Sequence, residues 1–223
     1  MIEAVEITTR DGLTLRGEVA MCASDWILLV HAPGEDIDAW RPLSSALEEY
    51  SLTVLAVDLR GHGGSDGEAD PGAAATDVEA MVAYALSHGA LRIFLGAAGP
   101  STSAAQEAAE RHPIEALVLA APVGRHRDDG TPVPRLLLYD PEDPEQEAAA
   151  ARLQDAPGSS LAISLTDAGR GLDLLGGEWS DNVIGYVAAF LRDVRLNRPA
   201  TPVSPSRAHG GPPTESAQEP LSR

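Results

Sequence analysis

The residues able to do chemistry in this chain fall at the ends of short apolar runs. After Trp26–Val30 stands His31-Ala32-Pro33-Gly34, and after Leu52–Val57 stands Asp58-Leu59-Arg60-Gly61-His62-Gly63-Gly64-Ser65-Asp66-Gly67. After Ile93–Leu95 stands Gly96-Ala97-Ala98-Gly99-Pro100, with Ser101 and Ser103 just beyond. Asp140 and Asp143 follow Leu136–Leu138, and Ala168-Gly169-Arg170-Gly171 follows Leu161–Leu165. A hydroxyl, an imidazole and a carboxylate on three such loops can cooperate in acyl transfer: the imidazole takes the hydroxyl proton while the carboxylate orients the ring. Other chemistries fit less well. Cys22 is the sole cysteine and has no basic neighbour in sequence to make a thiolate, and no pair of histidines has metal-ligand spacing. Gly61-His62-Gly63-Gly64 lacks the lysine of a phosphate loop.

The elements that must position these groups are legible from periodicity. The runs Trp26 to Val30, Leu52 to Val57, Arg92 to Leu95, Ala116 to Ala121, Leu136 to Tyr139 and Leu161 to Leu165 are nearly continuous in apolar character. Strands covered on both faces of a parallel sheet read this way. Residues 2–8 and 13–20 alternate in polarity around Asp11-Gly12, a hairpin signal. Thr76 and Glu79 read as a capping box opening a helix with the stripe Val78, Met81, Val82, Ala85 and Leu86, closed by Gly89. Ser103 to Arg111 and Glu145 to Leu153 are rich in Ala and Glu, and Val183, Ile184, Val187, Phe190 and Leu191 mark a last amphipathic helix. A hairpin followed by repeated strand–helix units predicts an α/β fold: a mostly parallel sheet with an N-terminal antiparallel hairpin and helices on both faces. Pro122 to Pro134 is too short for a helical lid, and Arg125, His126 and Arg127 give that loop local positive charge. The domain is expected to span residues 1–196. Residues 197–223, rich in Pro, Ser and Gly, are expected to form a disordered tail.

With these pieces in place, residues 5–195 resemble the α/β-hydrolase superfamily, nearest its compact esterase, lipase and serine-aminopeptidase-like members. The string Asp58-Leu59-Arg60-Gly61-His62-Gly63-Gly64-Ser65, behind the His-x-x-Gly turn and a Trp-containing helix, carries the resemblance. The resemblance implies a serine in a G-x-S-x-G turn, an acid after a later strand and a histidine after the last strand. It puts Ala98 at the nucleophile's place, Asp143 at the acid's place with Asp140 as the alternative, and Arg170 at the base's place. Alanine has no nucleophilic atom, and a guanidinium stays protonated at any working pH. Ser101 and Ser103 are the candidates for a relocated nucleophile. His31, Ala32, Gly34, Ala97 and Gly99 mark the pocket and oxyanion region. Arg170 and Asp143 are expected to pair.

Acids outnumber bases 34 to 16, for a formal charge of −18, and every base is an arginine. Such a surface repels phosphate backbones and anionic lipid, so neither nucleic acid nor membrane is an expected partner. The first residues are acidic rather than signal-like and no apolar run spans a bilayer, so a cytoplasmic protein without cofactor or metal is expected. The leading functional expectation is a catalytically inactive homologue acting as a binding or scaffold module. It would take a small molecule in the vestigial pocket or a protein partner. The alternatives are an active serine hydrolase with relocated groups and a non-hydrolytic enzyme using the old pocket.

Overall fold

The computed structural model describes residues 2–124 and 132–197. Eight strands form one sheet in the order β1-β2-β4-β3-β5-β6-β7-β8. They are β1 (Ile2–Thr8), β2 (Thr14–Ala20), β3 (Asp25–Val30), β4 (Thr53–Val57), β5 (Arg92–Ala98), β6 (Ile114–Ala120), β7 (Arg135–Tyr139) and β8 (Ser160–Ser164). The hairpin β1–β2 is antiparallel, β2 joins β4 antiparallel, and every later pairing is parallel. The α/β architecture with an N-terminal hairpin is therefore as the polarity pattern predicts.

Successive side chains of β3 feed opposite cores, as the period of two in a strand requires. Trp26, Leu28 and Val30 pack with α2 (Ala74–Ser87), α3 (Thr102–Arg111) and α4 (Pro144–Asp155) on one face. Ile27 and Leu29 pack with α1 (Arg41–Glu48), α5 (Asp173–Gly176) and α6 (Ser180–Asn197) on the other. Asn197 lies inside α6, so the helix passes the expected domain boundary by one residue. The expected tail beyond it, and the Arg125-His126-Arg127 loop, lie outside the described residues. No lid is present in the part of the β6–β7 connection that is described.

Three local expectations differ from the structure. First, β5 runs on through Gly96, Ala97 and Ala98, which pair with Val118, Leu119 and Ala120 of β6. These residues lack strand propensity but fit a crowded place: a Cβ on Gly96 would stand 2.8 Å from Leu29 Cδ2. Second, Thr76 and Glu79 lie inside α2 rather than capping it. Thr76 Oγ1 accepts from Arg10 instead, and Glu79 pairs with Arg10 and Arg111. Third, β8 is an edge strand with Leu161 half exposed, so its apolar run is not covered on both faces.

The loop after β4 is built around two carboxylates. Asp58 Oδ1 accepts from the Ile37 N–H and Oδ2 from the Gly64 N–H. Gly63 has φ 47°, and a Cβ there would fall 1.9 Å from Asp58 Oδ2, so only glycine fits. Arg60 forks onto Asp77, which is fully buried, and reaches Asp11 with its other nitrogen. Removing one member of a buried pair leaves the other charge uncompensated, which costs about 3–5 kcal/mol. Asp77→Asn is therefore expected to lower unfolding free energy by about 3 kcal/mol in urea titration. Asp38→Asn, which breaks an exposed pair with Arg41, should cost below about 1 kcal/mol. Equal effects would contradict this account of the loop.

Candidate functional site

The turn from β5 into α3 is where the sequence reading looks for a nucleophile. Ala98 is not the strained residue there. It closes β5 in extended conformation (φ −121°, ψ 147°) and is fully buried in the core beside α1 and α6. The left-handed residue is Gly99, with φ 55°. The nucleophile of a strand-to-helix elbow sits on that strained residue, because the strain is what presents its side chain at the top of the sheet. The turn is thus shifted one residue from the sequence reading: Gly99 stands at the elbow, and a hydroxyl at position 98 would point into the core.

Space above Gly99 is nearly absent. A Cβ built on it would lie 3.0 Å from Ala32 Cβ and 4.0 Å from Gly171 Cα. Gly171, in the loop where a base is expected, has φ 57°, and a Cβ on it would fall 2.1 Å from Glu35 Oε1. Glu35 fills this place. Its Oε2 accepts from the Ala32 N–H at 2.9 Å and its Oε1 from the Leu172 N–H at 2.8 Å. Burial pushes the Glu35 carboxyl upward, against those two hydrogen bonds.

Four of the backbone positions around the turn have no free N–H to offer an oxyanion. The residue after Gly99 is Pro100, which has no N–H. In the loop after β3, Pro33 has none either, the Ala32 N–H is held by Glu35, and the Gly34 N–H donates to His62 Nε2 at 3.0 Å. An oxyanion hole needs such donors aimed at open space.

The histidines hold loops together. His31 is fully buried; its Nε2 accepts from the Leu59 N–H at 2.9 Å and its Nδ1 donates to Ala32 O. His62 repeats the pattern, accepting from Gly34 and donating to Arg60 O. The two rings meet edge to face at 5.0 Å. With Nε2 accepting and Nδ1 donating, each ring is held in one tautomer by these partners. Neither offers a free ring nitrogen to a hydroxyl.

The acid and the base positions come together as expected. Arg170 Nη2 lies 2.8 Å from Asp143 Oδ2, and Nη1 lies 3.3 Å from Glu145. Asp143 also caps α4 through Glu145 and Gln146 N–H. Burial pushes its carboxyl up, but those hydrogen bonds and the Arg170 charge outweigh it and hold the group low. Asp140 accepts from the Glu142 N–H and serves the turn before α4. Sequence reasoning missed Gln146, fully buried, whose Nε2 donates to Gly169 O at 2.8 Å and whose Oε1 accepts from the Asp140 N–H. It missed Glu35 too. Ser101 is buried and Ser103 half-buried, and both line a cavity on the α2 and α3 side. Among the described residues no group of three His, Cys, Asp or Glu side chains converges as metal ligands would. No helix among them is long and apolar enough to cross a membrane.

A protein-family profile described as serine aminopeptidase, S33, matches residues 22–141, more than half of the chain. The chain belongs to the serine aminopeptidase S33 family. That placement within the α/β-hydrolases agrees with the sheet order and the resemblance in the sequence. The match runs from just before β3 to Pro141, so the Gly99 turn and the Glu35 carboxylate lie inside it, whereas Asp143 and Arg170 lie beyond it. Solved structures share the fold. The Pyrococcus furiosus esterase Pf2001 superposes with a TM-score of 0.76 at 17% identity, covering 86% of this chain and 92% of that one. Est1E of Butyrivibrio proteoclasticus, solved with ferulic acid bound, gives 0.73 at 15% identity, over 86% and 100%. The α/β hydrolase GrgF of a Penicillium species gives 0.71 at 18% identity, over 88% and 98%. In sequence, the polyketide transferase grgF of Penicillium is 42% identical over 67 residues, 29% of this chain and only 23% of that relative.

The buried His31 makes stability depend on pH. Burial lowers its folded pKa below the ordinary 6.5. The unfolded chain therefore binds a proton below about pH 6.5 that the folded chain refuses, so stability is full above that pH and falls as acid is added. Unfolding free energy of the native protein should drop more between pH 7 and 5 than that of His31→Gln, which cannot titrate. Parallel profiles would contradict the buried, neutral imidazole.

Proposed function

We propose that this S33 homologue has lost hydrolytic chemistry and keeps its fold as a binding or scaffold module. One observation carries the reading: the strained turn bears Gly99, which has no nucleophilic atom, while Pro33 and Pro100 have no N–H and those of Ala32 and Gly34 are held by Glu35 and His62. Arg170 beside Asp143 adds to it, since a guanidinium cannot take a proton from any nucleophile. Where a triad acts as a unit, losing its serine or histidine removes about a millionfold in turnover. A small molecule is the favoured ligand and a protein the other partner of the module. The charge of −18 argues against nucleic acid and anionic membranes.

A second reading, an active esterase, lipase or peptidase-like enzyme with relocated groups, is favoured by one observation. Ser101, Ser103 and His62 line the same cavity. Against it stands the chemistry of His62: both ring nitrogens already have backbone partners, so no lone pair is left to activate a hydroxyl. Purified protein is expected to hydrolyse p-nitrophenyl acetate no faster than its heat-denatured control. Turnover above that control, abolished by Ser101→Ala or Ser103→Ala, would establish the second reading instead.

A further inference from the structure

A cavity of about 220 Å³ opens between the loop after β4, the start of α2 and the N-terminal turn of α3. Its walls include Leu59, Pro71, Ala75, Pro100 and Ala104. It lies apart from the shallow acidic depression at Glu35, Asp38 and Asp173 that borders α1 and α5. For scale, an apolar cavity of about 150 Å³ admits benzene. This one is larger by roughly a substituent, so it suits a ring of about six atoms bearing one or two more.

Its polar side is specific. Ser101 lines the cavity, is 3% exposed, and its hydroxyl has no hydrogen-bond partner among the described residues. Its neighbour Thr102 donates to Gly99 O at 2.6 Å, and Ser65 donates to Asp58 O at 2.6 Å, so buried hydroxyls here are otherwise served. A hydroxyl that lines a cavity without a protein partner keeps its donor and acceptor capacity for a molecule bound there. The charges around the cavity select the ligand's own charge. Arg60, the cation in the wall, is taken by Asp77 and Asp11. Asp70 caps the Gly72 N–H and Glu107 pairs with Arg111, so neither carboxylate is free for an ammonium, while both repel anions.

We propose that this cavity binds a small, neutral, ring-sized molecule carrying one hydrogen-bonding oxygen, which Ser101 anchors. The proposal rests on the preceding functional reading only in treating Ser101 as an anchor rather than a nucleophile. The test is an NMR titration of the full chain with benzyl alcohol, with toluene as the oxygen-free probe and benzoate as the charged one. Benzyl alcohol is expected to give saturable amide shifts centred on Leu59, Ala75, Ser101 and Ala104, and to bind more tightly than toluene or benzoate. Ser101→Ala removes an unpaired hydroxyl and should fold normally. It should weaken benzyl alcohol about threefold to tenfold, the worth of one neutral hydrogen bond, and leave toluene unchanged. Ala75→Leu, which fills the cavity, should abolish both.

Absence of saturable shifts, equal benzyl alcohol affinity in Ser101→Ala, benzoate binding as tightly as the alcohol, or shifts centred on Leu172 would each overturn the proposal. Ester hydrolysis dependent on Ser101 would overturn the functional reading while leaving a measured binding site in place. Inert protein without binding would sink this proposal alone.

Discussion

The carboxylate of Glu35 ties together two loops far apart in sequence. It takes the Ala32 N–H from the turn after β3 and the Leu172 N–H from the loop after β8. A half-buried acid is costly unless its oxygens are served, and here each oxygen has a backbone donor. The geometry leaves no room for anything else. Gly171 must lack a Cβ because Glu35 Oε1 stands where that atom would be, and Ala32 presses on the space above Gly99. The β5–α3 turn and the loops after β3 and β8 thus meet in one packed knot of glycine, alanine and glutamate.

The rest of the carboxyl edge of the sheet is organised to hold that knot. His31 and His62 stitch the β3 loop to the β4 loop through two hydrogen bonds, from the Leu59 and Gly34 N–H groups, and each ring's other nitrogen holds a carbonyl of its own loop. Asp58 ties the same β4 loop to the 3-10 turn before α1, and Arg60 anchors it to α2 through Asp77. On the far side, Gln146 connects the Asp140 turn to Gly169, and Arg170 closes over Asp143. These side chains are spent on hydrogen bonds and ion pairs within the chain. A separate cavity opens to one side, behind Pro100, with Ser101 in its wall.

Much of this was readable from residue order, and the failures have physical causes. The hairpin and the parallel strands follow from alternation and from continuous apolar runs. The elbow register does not: Gly96-Ala97-Ala98 carries no β-branched residue, and only pairing with β3 and β6 makes it strand. That one step moved the strained residue from Ala98 to Gly99. The Arg170–Asp143 pair was legible because the resemblance to the α/β-hydrolases puts the two residues at the base's and the acid's places. Glu35 was not, being one acid among 34 with no partner in sequence: its donors are backbone groups, one of them more than a hundred residues away. The Thr76–Glu79 box misled because arginines from elsewhere, Arg10 and Arg111, claimed both side chains.

The account stands or falls on whether any serine in the folded protein is activated. Intact-mass spectrometry after incubation with excess fluorophosphonate, a reagent that labels only activated serines, answers this without choosing a substrate. The account predicts an unchanged mass. A single stoichiometric adduct mapping to Ser101 or Ser103 would contradict it.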